Sequence, residues 1–413
     1  MKEPAIAQPD VKWERPIEIA SGPGNRGEWR QNESDWDYVD DPAVALQPNG
    51  GAAVAWVDQR RKDVLFQIYG RDGNPRMREP VNVSRNPTMF SWLPRIALAP
   101  DRPNDIYILW QEIVFSGGSH GGDIFFARSQ DGGATFSEPV NLSSSKGGDG
   151  KGRTTAAEWD NGSLDIAVAA DGKIYAAWTE YHGPLWFSRS DDLGARFSKP
   201  MRVTGDEKQP ARAPALAVGP SGSVYLAWTD GENVRADIRV AKADDGRTFS
   251  EPTVVAQTSS YSDAPKLAVD ERGITHLAFT ERSPNWSRAA VHYARSTDGA
   301  QSFSAPQQLS TGLAAYPSLR VDARGNLYCS WESYRDERSG GRGLGFSTSR
   351  DGGRTFSKPA SIPGSSDPDG GVNGSNQGKL MRKLAVGSDG QLAVVNSSLK
   401  QGQSSRVWLM RGE

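Results

Sequence analysis

Ser349-Arg-Asp351-Gly-Gly353-Arg-Thr355-Phe356 is an octapeptide whose pattern the chain repeats four more times. The other copies begin at Ser129, Ser190, Lys242 and Ser296. Their aspartates are 61, 52, 54 and 53 residues apart, and each copy is followed by Ser-x-Pro and a short run of strand-forming residues. Self-similarity at a fixed period of this length is typical of a repeat architecture.

The residue types in the octapeptide predict a tight turn between two strands. An aspartate accepts hydrogen bonds from backbone N–H groups just after it, and glycine adopts a positive φ without steric conflict. Serine and threonine hydroxyls can tie the two arms of the turn together, while the final Phe can anchor it in apolar packing. The octapeptide therefore predicts a hairpin turn in each repeat.

A second pattern lies upstream of each turn. It consists of a proline, alternating apolar residues, a glycine turn and an aromatic-x-x-Trp ending, as in Pro214, Gly222, Tyr225 and Trp228. Alternation indicates strands and the glycine indicates a hairpin. Each repeat thus predicts four antiparallel strands: an inner strand A, strand B ending near the Trp, strand C, and outer strand D after the octapeptide.

The octapeptide resembles the Asp box of the BNR repeats in the sialidase-like superfamily, which implies an all-β propeller. We predict one domain over residues 1–413 with seven four-stranded blades; six blades, as in sialidases, is the alternative. The N-terminal strand, residues 12–20, is expected to complete the last blade, because Trp13-Glu-Arg-Pro16 reads like Phe136-Ser-Glu-Pro139. The blades are predicted at residues 40–86, 87–145, 155–204, 210–257, 262–310, 315–363 and 378–411.

Composition excludes several classes of protein. The net charge of −2 and pI near 6.2 give no basic face for nucleic acid. No apolar run approaches the roughly 20 residues of a membrane helix, and the single Cys329 excludes an internal disulfide. The start Met1-Lys2-Glu3-Pro4 lacks an apolar signal core. The resemblance nevertheless favours a secreted or periplasmic protein whose leader is absent from this sequence over a cytosolic one.

A functional site is expected on the face opposite the octapeptide turns, where the B–C and D–A loops break the repeat. We predict His120, Tyr181 and His182 as catalytic residues, because a His and a Tyr on adjacent blades suit acid–base chemistry near neutral pH. No metal site and no cofactor are predicted. A structural Ca²⁺ at the loop Asp367–Asn373 is left open, although its spacing matches no regular Ca²⁺ loop.

Arginine and tryptophan at this face predict the ligand class. Arg forms bidentate contacts with carboxylates, and indole rings stack on sugars. The predicted substrate-binding residues are Arg95, Arg153, Arg282, Arg335, Trp92 and Trp159. We therefore expect an anionic carbohydrate as partner, and a monomer.

The resemblance implies two kinds of activity. Sialidases use three arginines, a Tyr paired with Glu, and an Asp; their Arg-Ile-Pro triplet is absent here, but Tyr261 and Tyr316 begin inner strands as the sialidase Tyr does. Seven-bladed relatives include uronate-polymer lyases and rhamnosidases that use His, Tyr and Arg. An enzyme cleaving an acidic glycan by lyase or hydrolase chemistry is favoured. The alternatives are a non-catalytic glycan- or protein-binding propeller, an exo-sialidase and a periplasmic assembly factor.

Overall fold

The chain forms short β-strands almost throughout. The computed structural model describes residues 10–115, 121–232, 235–256, 261–283, 287–336, 339–374 and 380–413. No helix within these ranges is long and apolar enough to cross a membrane. The first strands are β1 (Ile17–Gly22), β2 (Asn25–Arg26) and β3 (Trp36–Asp37).

Six four-stranded antiparallel sheets follow, each with its strands in chain order. Blade 1 contains β4 (Val39–Leu46), β5 (Ala52–Asp58), β6 (Asp63–Tyr69) and β7 (Val81–Asn82). Blade 2 contains β8 (Ser91–Ala99), β9 (Arg102–Glu112), β10 (Asp123–Ser129) and β11 (Val140–Asn141). A separate hairpin, β12 (Lys151–Thr155) and β13 (Glu158–Asn161), then leads into blade 3.

The next four blades repeat this arrangement. Blade 3 contains β14 (Leu164–Val168), β15 (Ile174–Thr179), β16 (Leu185–Ser190) and β17 (Met201–Thr204). Blade 4 contains β18 (Ala211–Val218), β19 (Val224–Asp230), β20 (Asp237–Ala243) and β21 (Thr253–Ala256). Blade 5 contains β22 (Tyr261–Val269), β23 (Thr275–Arg282), β24 (Ala289–Ser296) and β25 (Gln307–Gln308). Blade 6 contains β26 (Leu313–Val321), β27 (Leu327–Tyr334), β28 (Leu344–Ser349) and β29 (Ala360–Ser361).

Blade 7 joins the two ends of the chain. It contains β30 (Val372–Asn373), β31 (Leu384–Val386), β32 (Leu392–Lys400) and β33 (Ser404–Gly412). The N-terminal β1 pairs antiparallel with β33, with Ile17 opposite Leu409 and Gly22 opposite Ser405. This pairing leaves no open edge at the closure of the ring. It confirms a seven-bladed propeller closed by the N-terminal strand, and the six-bladed alternative is wrong.

The octapeptide forms the turn between strands C and D, with the hydrogen bonds that its residue types predict. In blade 2 the Asp131 carboxylate accepts from the Thr135 N–H at 2.9 Å and the Thr135 hydroxyl at 2.6 Å. The Ser129 hydroxyl donates to Asp131 and accepts from the Gly133 N–H. The copies at Asp298 and Asp351 bond in the same way.

The turn in blade 4 differs from the sequence alignment. There Asp245, not Asp244, accepts hydrogen bonds from the N–H groups of Arg247 and Thr248. The reason is that this turn is one residue shorter: Ala243 ends strand C where Ser129 does in blade 2, and Lys242 bonds to Ser250 as Arg128 bonds to Ser137. Lys242 forms an ion pair with Asp244 at 2.7 Å. The turn is rebuilt on the next acid along the chain.

The Phe that ends each octapeptide packs against the preceding blade. The Phe136 ring meets Phe66 edge-on at 5.2 Å, and Phe197 meets Phe126 at 4.8 Å. Aromatic pairs of this kind add to the burial of apolar area. The octapeptide therefore closes a hairpin and also joins neighbouring blades.

The inner strands share a bulge immediately before the repeated proline. In five blades the residue before that proline has a positive φ without being glycine: Asp41, Leu93, Ala213, Ala264 and Tyr316. Pairing with strand B shifts register at the same places. Because a left-handed residue is unfavourable before proline, the surrounding structure must impose it. The bulge bends the first residues of these five inner strands. It lies at the face of the ring opposite the octapeptide turns.

Candidate functional site

The mouth of the ring, on the face of the D–A and B–C loops, is partly covered by the β12–β13 hairpin. This hairpin interrupts the connection from blade 2 to blade 3, and its backbone is tied to the end of β15 through Gly150 N–H and Thr179 C=O at 2.8 Å. Asp160 in β13 points back to blade 4, where its carboxylate lies 3.2 Å from Arg212. Asp160 keeps 23% of its side chain exposed. The hairpin therefore places an accessible carboxyl group at the mouth.

Arg212, at the bulge of β18, is held by acids from two directions. Its guanidinium is 1% exposed and pairs with Asp263 of blade 5 as well as with Asp160. Asp263 also accepts from the Thr229 hydroxyl at 3.0 Å and from the Ala264 N–H at 2.7 Å. This network fixes both the position and the charge of Arg212.

A second arginine shares an aromatic ring with Arg212. The Arg282 guanidinium lies 3.9 Å from the Tyr261 ring centroid, and that of Arg212 lies 5.5 Å from the same centroid. All three side chains are buried. Two cations beside one ring repel each other, and the charge of Arg212 helps to lower the pKa of Arg282 after burial; an anion that bridges them relieves that repulsion.

Two phenols from blade 6 complete this group. Burial, the charge of Asp160 and the neighbouring Tyr334 together raise the pKa of Tyr316 well above its usual value. Burial and the charges of Glu332 and Asp160 raise the pKa of Tyr334 in the same direction. Both phenols are therefore protonated at neutral pH and can donate a proton or a hydrogen bond. We call Asp160, Arg212, Tyr261, Arg282, Tyr316 and Tyr334 the mouth cluster.

A cavity of about 650 Å³ adjoins the mouth cluster at Arg282. Its lining also includes Glu281, Arg288 and His292. Burial lowers the pKa of His292, so its imidazole is neutral at pH 7. The volume is in the range of small-molecule pockets.

The predicted catalytic residues lie beside the hairpin. His120 falls outside the described residues. The Tyr181 hydroxyl donates to the Ala156 carbonyl at 3.2 Å, and its ring is buried. The His182 side chain is 43% exposed, with Nδ1 3.5 Å from a Glu207 carboxylate oxygen. The rings of Tyr181 and His182, which are consecutive in the chain, lie 5.4 Å apart, and their catalytic roles stay predictions.

Trp159 and Arg153 lie on the same hairpin. The Trp159 ring is 40% exposed, meets Tyr181 edge-on at 5.4 Å and has the Lys151 ammonium 5.1 Å from its centroid. Burial lowers the pKa of Lys151 to about 8. Arg153 is buried and pairs with Glu232 at 2.8 Å. Trp159 is therefore partly open to solvent, whereas Arg153 anchors the hairpin to blade 4.

Three predicted binding residues lie elsewhere. Arg95 is fully buried in the channel, where backbone carbonyls such as Gly162 at 2.8 Å accept its hydrogen bonds, so it is not a rim residue. Trp92 is also buried, and it stacks on Trp36 at 5.9 Å; the exposed ring of that group is Trp29. Arg335 is exposed just after β27. Of the predicted substrate-binding residues, Arg282 belongs to the mouth cluster.

The structure places the carboxylates of the candidate Ca²⁺ loop against an arginine. Arg406 pairs with Asp367 at 3.3 Å and with Asp369, while Ser398 donates to Asp367 at 2.6 Å. Both carboxylate oxygens of Asp367 are therefore engaged within the chain. In the described ranges no three His, Cys, Asp or Glu side chains are grouped so as to hold a metal ion.

A family model for the BNR repeat-like domain matches residues 78–329 of this chain, which is more than half of it. The chain belongs to the BNR repeat-like family. A comparison with curated protein sequences gave no match. The resemblance inferred from the octapeptides is confirmed.

Solved structures of low sequence identity share this BNR repeat-like fold. The polysaccharide lyase Uly1 is 11% identical, with a TM-score of 0.59 over 97% of this chain and 99% of its own. A protein of unknown function from Dyadobacter fermentans is 14% identical, with a TM-score of 0.55 over 98% and 99%. The Penicillium chrysogenum α-L-arabinanase, complexed with arabinobiose, is 14% identical, with a TM-score of 0.52 over 78% and 94%. At such identities these likenesses show the fold alone.

The sequence patterns did not point to Arg212, the residue at the centre of the mouth cluster in this BNR repeat-like protein. Arg212 was not singled out, although it stands two residues before a repeated proline. The residues at that position and the next differ from blade to blade, as Arg212-Ala213, Asp263-Ala264 and Ala315-Tyr316 show. Departure from the repeat at these two positions is the signal that would have found the site.

Proposed function

We propose that this protein is a carbohydrate-active enzyme that cleaves an acidic glycan, carrying uronate or sialate, at the mouth cluster. The observation that carries the proposal is the placement of Arg212 and Arg282 over the single ring of Tyr261. Two buried guanidinium groups next to one aromatic ring suit a carboxylate bound between them. The exposed Trp159 ring supplies a surface for stacking a sugar.

The fold neighbours support a sugar as the ligand class. They include a polysaccharide lyase, an arabinanase complexed with arabinobiose, and a microbial sialidase at a TM-score of 0.50. The arginine pair supports an acidic sugar in particular, because a neutral glycan offers no charge to bring the two cations together. A glycan ligand also agrees with the position of the cluster on the loop face of the ring.

The remaining groups of the cluster supply acid–base chemistry. With the arginines on the substrate carboxylate, the adjacent C–H of a uronate becomes more acidic, and the Asp160 carboxylate is placed to accept that proton. Tyr316, protonated because of its raised pKa, then donates to the departing oxygen. This is lyase chemistry. In a hydrolase the same Asp160 and Tyr316 protonate the leaving group and activate the attacking group.

The experiment is incubation with uronate polymers and with sialylated glycans, read for unsaturated uronate by ultraviolet absorbance, for new reducing ends and for free sialate. Unsaturated product identifies a lyase, reducing ends without unsaturation identify a hydrolase, and terminal sialate release identifies an exo-sialidase. Arg282→Met and Tyr316→Phe are expected to lower turnover at least about 100-fold, the typical contribution of one transition-state donor. Arg196→Met is the matched control, because Arg196 lies in an octapeptide turn with 89% of its side chain exposed.

Binding of an acidic glycan without any product would show a non-catalytic binding propeller. Failure of both binding and cleavage across the acidic glycans would refute the proposal. His182→Ala tests the other predicted group separately: a loss of turnover with normal Arg282→Met activity would move the site to Tyr181 and His182.

A further inference from the structure

A short segment of the chain crosses the channel below the mouth cluster. Residues 380–383, which we call the plug, contact the inner strands of the six other blades. The plug's contacts are Arg382 C=O with Val44 N–H, Met381 Sδ with Arg95, Arg382 with Asp165 and with Leu216 C=O, Leu380 C=O with Lys266, and Ser318 with Met381 C=O and Lys383 N–H.

Four cationic side chains meet around the plug. Arg95 Nη2 and Lys266 Nζ both donate to the Leu380 carbonyl, at 3.0 and 2.9 Å, so these two nitrogens lie within about 6 Å of each other. Arg382 pairs with Asp165 at 2.6 Å. The fourth cation, Arg320 of β26, donates to the Leu319 carbonyl at 2.8 Å and lies near enough to Arg382 and Lys266 to affect them electrostatically.

Negative charge around the plug is scarce among the described residues. Asp165 is the acid that pairs with this group. Asp41 also approaches Arg95, but burial and the adjacent Asp40 raise its pKa well above the usual value, which favours its neutral form. Lys383 is already matched by Glu332 at 2.5 Å. Arg95, Lys266, Arg320 and Arg382 therefore face one carboxylate.

This imbalance is costly without a counterion. Uncompensated charge inside a protein is penalised by lost hydration, and carbonyl oxygens offset only part of that loss. Burial lowers the pKa of Lys266 to about 7, so this lysine can lose its proton. Even then three arginines remain against Asp165. A bound anion would remove the excess.

We propose that the channel binds a small inorganic anion between Lys266, Arg320 and Arg382, next to Arg95, whose N–H groups already donate within the chain. This site is separate from the mouth cluster. The Leu380 side chain packs with Ala213, Ala264, Ala315 and Tyr316 into an apolar layer between the two. A glycan at the mouth is separated from the cations by that layer. The anion serves the fold by joining the plug to the inner strands.

The direct test is a crystal structure from bromide-containing solution with anomalous diffraction. An anomalous peak within hydrogen-bond distance of at least two of the four cations is expected. The solution test is thermal melting at constant ionic strength, with chloride, bromide or phosphate replacing gluconate. A saturable rise of about 3 °C is expected at 100 times the dissociation constant. Response to halides alone or to phosphate alone supports the proposal and names the anion.

Variants separate specific binding from general salt effects. Lys266→Met/Arg320→Met removes two cations, so it should lose the anion response. Asp165→Asn removes the one acid and should depend on the anion more strongly than the unchanged protein. Arg196→Met, on the opposite face, should respond normally. The proposal is overturned if neither halides nor phosphate raises the melting temperature, or if the anion that raises it gives no electron density at the cations. It is also overturned if the double variant, or Asp165→Asn where the double variant does not fold, responds as the unchanged protein does.

Discussion

Asp263→Asn removes one negative charge from the network that holds Arg212. The two side chains are 2% and 1% exposed and form an ion pair between blades 5 and 4. After the substitution the guanidinium keeps Asp160 at 3.2 Å, but that carboxylate is partly open to solvent. We therefore expect Arg212 to be left with an incompletely compensated charge.

The size of the effect follows from this geometry. Breaking one side of a buried ion pair costs about 3–5 kcal/mol, and the remaining Asp160 puts the expected loss near the lower end, about 3 kcal/mol. Unfolding entropy of about 2.1 cal/mol/K per residue, over 413 residues, converts this into a melting-temperature decrease of about 3–4 °C. Differential scanning calorimetry and urea unfolding measure the two quantities.

Two controls distinguish the charge from other consequences of the substitution. In an Arg212→Met background, Asp263→Asn should cost less than about 1 kcal/mol, since the partner charge is gone. Asp389→Asn, which breaks the half-exposed pair with Arg71, should also cost less than about 1 kcal/mol. If Asp263→Asn costs the same with and without Arg212, the account of this network is wrong.

Three further predictions concern the scaffold. Hydrogen bonds from the Ser302 and Ser296 hydroxyls and from the Ser302 N–H lower the pKa of Asp298 to about 2. The resulting stabilisation is present above the unfolded pKa near 4 and is lost as the pH falls toward 2. Asp298→Asn should therefore make the free energy of urea unfolding less dependent on pH between about 4 and 2. Burial lowers the pKa of His276 to about 4. Because the unfolded chain then binds the proton more readily, the free energy of unfolding should fall as the pH drops from about 6.5 to 4. His276→Tyr, which places there the residue that blade 4 has as Tyr225, should abolish that decrease. Cys329 is fully buried and burial raises the pKa of its thiol, so a thiol reagent should label it only after denaturation.

The fold was predictable because its signals are local. Each octapeptide carries within eight residues all the groups that build its turn, as the contacts of Asp131 with Ser129 and Thr135 show. Ring closure was predictable for the same reason, since Trp13 to Pro16 copies the sequence that follows the other turns. The exception, Asp245 in place of Asp244, arises because this turn is one residue shorter than the other copies, which an alignment on the final Phe does not reveal.

The site was less predictable because it is assembled across blades. Arg95 and Arg212 both stand near a repeated proline, yet one donates to backbone carbonyls in the channel and the other meets two carboxylates at the mouth. Trp92 lies at a comparable position and is buried by Trp36. Exposure and pairing at these positions depend on residues 50 or more places away, which local patterns do not reveal.

A crystal structure of the protein with an acidic oligosaccharide, too short or too slowly cleaved to turn over, would show directly where the glycan binds. We expect the sugar carboxylate within hydrogen-bond distance of Arg212 or Arg282, with Asp160 and Tyr316 on either side of the bond to be cleaved. A sugar bound with its carboxylate away from both arginines, for example over Trp29, would contradict this expectation.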